Sequence, residues 1–340
     1  MNRSIMVFGR ADVHECDGAM SYSTSSRRWT RLPQMPAVRQ GAAAAALGTG
    51  NSFCFVVCAN VWRTDPELAM GAMRTVPALT HFPPGLLPLI ASYLGPDSIF
   101  VTGGYGGHEG YEGHMTYAAT SFCYSLDAHT WKTDVPVMGV TRTAMATVVI
   151  GGRMMVFGGR NHNSVMASCE AFDPTTNKWS PLPPMPTPRA TACAAAWEGR
   201  AFVFGGHHLY TALSSVDCFD PTLNRWSAIA PMNFCREGAA AVTIPRRGLL
   251  VMGGCHRGCL QQSAELYDFL TTSWTTMPWQ LPTPLCDFSA HVLDGVLYII
   301  GGNNVRGAVA ECWSMDLSLP VWSPLSPLPT ALFGIASVAF

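Results

Sequence analysis

The sequence has almost no lysine, little charge of any kind and no excess of either sign. Lys132 and Lys178 are the only lysines among 21 basic side chains, which face 22 acidic ones over 340 residues for a formal charge of −1. A protein that grips a phosphate backbone needs a basic face to displace counterions, so this neutrality argues against a nucleic-acid binder. A long apolar run is also missing. The most membrane-like stretch, residues 82–95 (FPPGLLPLIASYLG), has 14 residues and carries three prolines, whereas a spanning helix takes roughly 20 apolar residues. Residues 1–10 lack the apolar core of a secretory signal. The expectation is a soluble protein of the cytoplasm, with the nucleus the other open compartment, and no membrane partner.

What the chain does have is apolar bulk cut into short pieces. Hydrophobic residues make up 48% and charged ones 13%, with 32 Gly and 25 Pro. That is too apolar for disorder, and the dense Gly and Pro punctuation points to many short strands joined by turns. The twelve cysteines are scattered along the whole chain. Without a signal they read as small buried hydrophobes rather than disulfides. Neither Cys54/Cys58 nor Cys255/Cys259 has the second half of a zinc site.

Internal repetition organises the rest. Short apolar runs end in paired glycines at Gly158-Gly159, Gly205-Gly206, Gly253-Gly254 and Gly301-Gly302, spaced 47, 48 and 48 residues apart. A tryptophan follows 20 residues after each second glycine: Trp179, Trp226, Trp274 and Trp322. Seven residues before each Trp stands a large apolar side chain, namely Phe172, Phe219, Tyr267 and Met315. Arg142, Arg189 and Arg236 head small-residue strands ahead of the first three glycine pairs. Four features recurring in phase leave chance no serious role.

This pattern resembles the kelch repeat, whose unit forms one four-stranded blade of a β-propeller. The resemblance implies an all-β fold, a single propeller over residues 1–340. The first blade would comprise residues 4–36 plus a C-terminal strand, 331–340, that joins it and closes the ring. Full blades would then follow at 85–137, 140–185, 188–232, 235–280 and 283–329. Residues 39–83 read in two ways. The 94 residues from Gly9 to Gly103 equal two repeat lengths, which favours seven blades with a degenerate second one. The alternative is six blades with an insertion near 49–96. Residues 82–96 also look like the opening of an F-box, which would imply a ubiquitin-ligase complex; an apolar inner strand is the plainer reading.

Loops of a propeller converge at its mouths, so residues just after each glycine pair are the first candidates for binding. These are Tyr105 and His108; Arg160, Asn161 and His162; His207 and His208; His256 and Arg257; and Asn303, Asn304 and Arg306. Guanidiniums among Asn and His side chains suit a peptide or acidic segment. Loop Arg and Asn side chains are also what the kelch resemblance implies for partner binding. The expected function is a non-enzymatic protein-interaction module, used as a substrate-recognition adaptor, with no cofactor and no catalytic residue. The alternative is a metal- or sugar-dependent enzyme built on the loop histidines, although histidines on separate blades sit far from one common point. The heading arginines Arg142, Arg189 and Arg236 read equally as rim cations or as internal partners of Glu170, Asp217 and Glu265.

Overall fold

A computed structural model describes residues 4–10, 18–33, 43–47, 98–102, 105–107, 115–117, 121–125, 130–132, 135–162, 164–329, 331 and 333–339. Their backbone forms six four-stranded antiparallel sheets, numbered here in chain order. Sheet 1 contains Ser4–Arg10, Gly18–Ser23 and Arg28–Arg31, with Phe333–Ala339 as its innermost strand. Sheet 2 contains Ala43–Leu47, Ser98–Thr102, Ser121–Ser125 and Thr130–Lys132. Sheet 3 runs from Ala146–Ile150 through Arg153–Phe157 and Cys169–Asp173 to Lys178–Leu182. Sheet 4 runs from Cys193–Trp197 through Arg200–Phe204 and Val216–Asp220 to Arg225–Ile229. Sheet 5 comprises Ala240–Ile244, Gly248–Met252, Ser263–Asp268 and Ser273–Gln280. Sheet 6 comprises Ser289–Leu293, Val296–Ile300, Cys312–Asp316 and Leu319–Pro324.

Each innermost strand touches that of the next sheet, from sheet 2 to sheet 6, and Phe333–Ala339 touches both Ser289–Leu293 and Ala43–Leu47. Small side chains fit this crowded position, as Ala194 and Ala195 show in sheet 4. The second strands are the most deeply buried: RAFVF in sheet 4 and GLLVM in sheet 5 hide nearly every side chain. Their large residues pack between sheets, so that Phe157 of sheet 3 meets Phe219 and Trp226 of sheet 4 edge-on. Fourth strands are mostly exposed, which places them on the perimeter.

The seven-blade expectation fails. Ala43–Leu47 pairs directly with Ser98–Thr102, from Ala43 opposite Thr102 to Leu47 opposite Ser98. The alanine strand Ala43–Leu47 is therefore the inner strand of the sheet that Ser98–Thr102 continues, and no complete blade separates them. The 94-residue interval matched two repeat lengths because a long segment interrupts one hairpin. Ala43–Leu47 takes the inner place expected for residues 82–96; residues 48–97, and with them the F-box-like stretch, lie outside the described residues. No helix among the described residues is long and apolar enough to cross a membrane.

The C-terminal strand does lie beside the first one, with Ile5 opposite Ala339 and Phe8 opposite Ala336. Two further observations tie sheet 6 to sheet 1. Ile5, Val7, Met20 and Tyr22 share a buried cluster with Leu293, Ile300, Cys312 and Leu328. Trp29 donates its indole N–H to the Ser326 carbonyl at 3.0 Å. The same bond recurs at each described junction: Trp179 to Pro136, Trp226 to Pro183, Trp274 to Ala230 and Trp322 to Gln280.

Candidate functional site

The glycine pairs set where the candidate residues go. All eight glycines of the four regular pairs have positive φ, for example +55° and +78° at Gly205 and Gly206. A Cβ on Gly205 would strike the carbonyl of Arg236 in the next sheet, while the Gly206 N–H donates to that same carbonyl at 2.8 Å. The pair is a joint between sheets that only glycine fits. Beyond it the chain makes a short hairpin in each repeat: Tyr105–Gly107 with Met115–Tyr117, His207–His208 with Thr211–Ala212, Cys255–His256 with Cys259–Leu260, and Asn303–Asn304 with Gly307–Ala308. In sheet 3 a single bridge from Arg160 to Val165 serves the same purpose.

Every regular hairpin is tied down at its base. The residue after the second glycine exchanges backbone bonds with the residue that follows the strand-heading position: Arg160 with Thr143, His207 with Ala190, Cys255 with Glu237, and Asn303 with Cys286. The next residues form a belt from sheet to sheet. Thr191 N–H donates to Ala144, Gly238 to Thr191, Asp287 to Gly238 and Gly334 to Asp287, at 2.8–2.9 Å. All five have φ between 50° and 61°, a conformation that costs non-glycine residues about 1 kcal/mol or more and persists because the belt bonds and hairpins hold it. The hairpins thus stand around one mouth, called the rim below.

Arg160, His162, Arg257 and Arg306 are exposed there, while His207, His208, His256, Asn161, Asn303 and Asn304 are half-buried. Several are occupied locally. Asn161 Oδ1 accepts the Ser164 N–H at 3.2 Å, and Asn304 Oδ1 accepts that of Arg306 at 2.7 Å. His207 Nδ1 lies 2.9 Å from Glu237 Oε2 of the next sheet and 2.9 Å from Thr191 Oγ1. It thereby links two sheets rather than pointing outward. Beside it Asp287 has its carboxyl pushed up by burial, against the hydrogen bond from the Cys286 thiol, which lowers it, and with a smaller upward push from the charge of Glu237. Tyr105 is placed by its backbone alone, and His108 lies outside the described residues.

The heading arginines are not part of the rim. Arg142, Arg189 and Arg236 are buried and paired with Glu170, Asp217 and Glu265. Each also donates to the carbonyl of the first glycine and to a serine of its own sheet, as Arg236 does to Gly253, Ser263 O and Ser263 Oγ. Burial outweighs pairing at two of them: desolvation chiefly lowers the Arg189 and Arg236 guanidiniums, and it raises the Asp217 carboxyl.

Two apolar features of the rim were not legible as candidates. Leu209 and Tyr210 form the tip of the sheet 4 hairpin, with Tyr210 fully exposed, and Val305 tops that of sheet 6. A Leu-Tyr pair in a sequence reads as core; only the hairpin geometry turns it outward. Among the described residues no three His, Cys, Asp or Glu side chains gather as metal ligands would. The eight cysteines within residues 135–329 are free thiols, and burial pushes Cys169 up to about 11 and Cys193 and Cys312 to about 12.

These features define an all-β propeller of the kelch type. Residues 90–302 match the KLHDC2/KLHL20/DRC7 Kelch-repeats domain, and residues 284–329 match the Kelch motif. The chain belongs to the kelch-repeat family. Kelch-like protein terF of Aspergillus terreus is 24% identical over 294 residues, covering 81% of this chain and 50% of that protein. Kelch-like protein 33 of Homo sapiens is 29% identical over 139 residues, or 39% of this chain and 25% of its own length. An F-box/kelch-repeat protein of Arabidopsis thaliana shares 39% over 61 residues, 17% of this chain and 16% of its own. The chain thus spans half or less of the length of these relatives.

Proposed function

We propose that this protein is a non-enzymatic interaction module, a closed ring of sheets that holds a partner segment against its hairpin rim and serves as a substrate-recognition adaptor. The observation that carries the reading is a division of labour among arginines. Three are consumed inside the sheets, whereas Arg160, Arg257 and Arg306 stand exposed on hairpins whose bases are fixed by backbone bonds. Guanidiniums on rigid supports bind carboxylates without first losing much freedom. Leu209, Tyr210 and Val305 add apolar area of the kind that anchors interfaces. Closure of the ring is supported by the chain of inner-strand neighbours and by the Trp29–Ser326 bond.

The test is affinity capture with wild-type protein and with an Arg160→Ala/Arg257→Ala/Arg306→Ala variant. Proteins held by the first and lost from the second are the expected result, with the thermal unfolding of the two unchanged. A variant that retains every specific partner would overturn the rim assignment.

A further inference from the structure

The repeats act as controls for one another at the end of the molecule opposite the rim, where the turns between first and second strands and between third and fourth strands lie. Third-to-fourth turns open on a capping residue followed two positions later by a hydroxyl. Thr175 bonds Asp173 at 2.6 Å, Thr222 bonds Asp220 at 2.8 Å, Ser318 bonds Asp316 at 2.6 Å, and Ser25 lies 3.1 Å from Ser23 Oγ. Sheet 5 breaks the rule. Its Asp268 still accepts the backbone N–H of residue 270 at 2.7 Å, but that residue is Leu270, 95% exposed. The fold gains nothing from it: a capping bond made in sheets 1, 3, 4 and 6 is given up and an apolar side chain is set in water.

The turn that carries Leu270 is firmly seated. Phe269 stands where sheets 3 and 4 have Pro174 and Pro221. Its ring stacks on Trp197 of sheet 4 at 4.8 Å and 15°, and meets Tyr267 edge-on at 5.1 Å. Sheet 5 departs from its neighbours a second time nearby. Sheets 3, 4 and 6 join their first two strands with two residues, Gly151-Gly152, Glu198-Gly199 and Asp294-Gly295; sheet 5 uses Pro245-Arg246-Arg247. The following Gly248 approaches the Tyr267 carbonyl too closely for a Cβ, so this longer turn lies against the strand that leads to Leu270. Both arginines are exposed. Arg153 and Arg200 at the equivalent end have Asp173 and Glu198 within 4 Å, whereas Arg246 and Arg247 have no carboxylate that near among the described residues.

We propose that Leu270, Arg246 and Arg247 form a second protein-docking patch, distinct from the rim, that takes a short acidic segment carrying an apolar side chain. Two guanidiniums select carboxylates, and Leu270, next in the chain to the Phe269 that stacks on Trp197, offers the apolar contact. Asp268 adjoins Phe269 and Glu198 adjoins Trp197 in the chain, and those two rings stack, which puts both carboxyl-bearing residues at this end of sheets 4 and 5. They would repel a nucleic-acid strand or an anionic membrane, which present charge without gaps, but leave room for a peptide with two placed carboxylates.

Fluorescence anisotropy with a labelled pool of short synthetic peptides, Asp or Glu flanking a central Leu or Phe, tests this on the full chain. A pool with Lys in place of the acids and phosphatidylserine vesicles serve as the other arms. The acidic pool is expected to bind saturably, and Leu270→Thr or Arg246→Gly/Arg247→Ser to weaken it about tenfold each. Glycine accepts the positive φ of Arg246, and Thr restores the capping hydroxyl, so neither variant should melt below the wild type. The rim variant at Arg160, Arg257 and Arg306 should keep the part of the binding that the sheet 5 variants remove, whatever the outcome of its own test. No binding, equal binding of the Lys pool, capture of vesicles in place of peptide, or indifference to the sheet 5 variants would each overturn the proposal.

Discussion

Arg142, Arg189 and Arg236 hold their sheets together from inside, and sheet 6 shows what that arrangement costs to replace. Its strand-heading position is Leu285, and the position of the acidic partner is Trp313; Leu285 is buried and Trp313 packs against the same core cluster. One chain therefore contains both an ionic and an apolar solution to the same joint. Arg189→Leu alone would strand Asp217 beside an apolar side chain and is expected to cost about 3–5 kcal/mol, whereas Arg189→Leu/Asp217→Leu should recover the larger part of that loss. Chemical denaturation of the single and double variants checks it. A second residue-scale prediction concerns His291, fully buried on the inner strand of sheet 6 with Nε2 3.0 Å from Ser289 Oγ. Burial pulls its pKa down to about 3. Because the unfolded chain takes up a proton near pH 6.5 and the folded one does not, this group's contribution to stability is complete above that pH and is lost as pH falls toward 3. The loss at pH 5 should be about 2 kcal/mol. A His291→Gln variant should show a flatter stability profile between pH 5 and 7, measured by urea titration at each pH.

At the scale of the repeat element, the tryptophans serve both sheets at a junction: one face packs inside its own sheet, as Trp226 does on Phe219 at 5.1 Å, and the indole N–H closes on the preceding sheet. Trp226→Phe keeps most of the packing and loses the bond to Pro183, so it should destabilise by about 1 kcal/mol, read as a lower melting temperature with an unchanged circular dichroism spectrum. These junctions explain why so much of the fold was legible. Gly-Gly, Trp and the strand-heading Arg recur in phase because each repeats one contact, the glycines with the next sheet, the Trp with the preceding one and the Arg within its own, so spacing alone reveals them. The long interruption of sheet 2 was legible only as the less favoured alternative, an insertion near 49–96, since its length happens to mimic one more repeat and only the Ala43–Thr102 pairing distinguishes the two. The site was legible in part. The loops after the glycines were found, but the belt through Ala144, Thr191 and Asp287 is a backbone feature without a side-chain signature. Arg189 and Arg160 looked alike in sequence because burial, not residue type, separates an internal clamp from an exposed anchor.

At the scale of the whole molecule, the proposed ring depends on two pieces of chain from opposite ends. Phe333–Ala339 covers the inner edge of Ser4–Arg10 and lies between the inner strands of sheets 6 and 2. Neither end provides a complete sheet alone, so in the proposed ring the terminal strand would pin the first and last repeats at once and make their unfolding cooperative. Deleting residues 333–340 would expose the backbone groups of Ser4–Arg10 as an open edge and leave two inner strands without a neighbour. Such an edge seeks another strand, either from a second molecule or from an added peptide. The truncated protein is expected to melt at lower temperature and to self-associate in sedimentation experiments. A synthetic peptide spanning residues 331–340 should return it to the monomer and restore much of the melting temperature, while a scrambled peptide should not. A truncated chain that remains monomeric with the melting behaviour of the full protein would show that the sheets are held by their neighbours alone and that the terminal strand is dispensable.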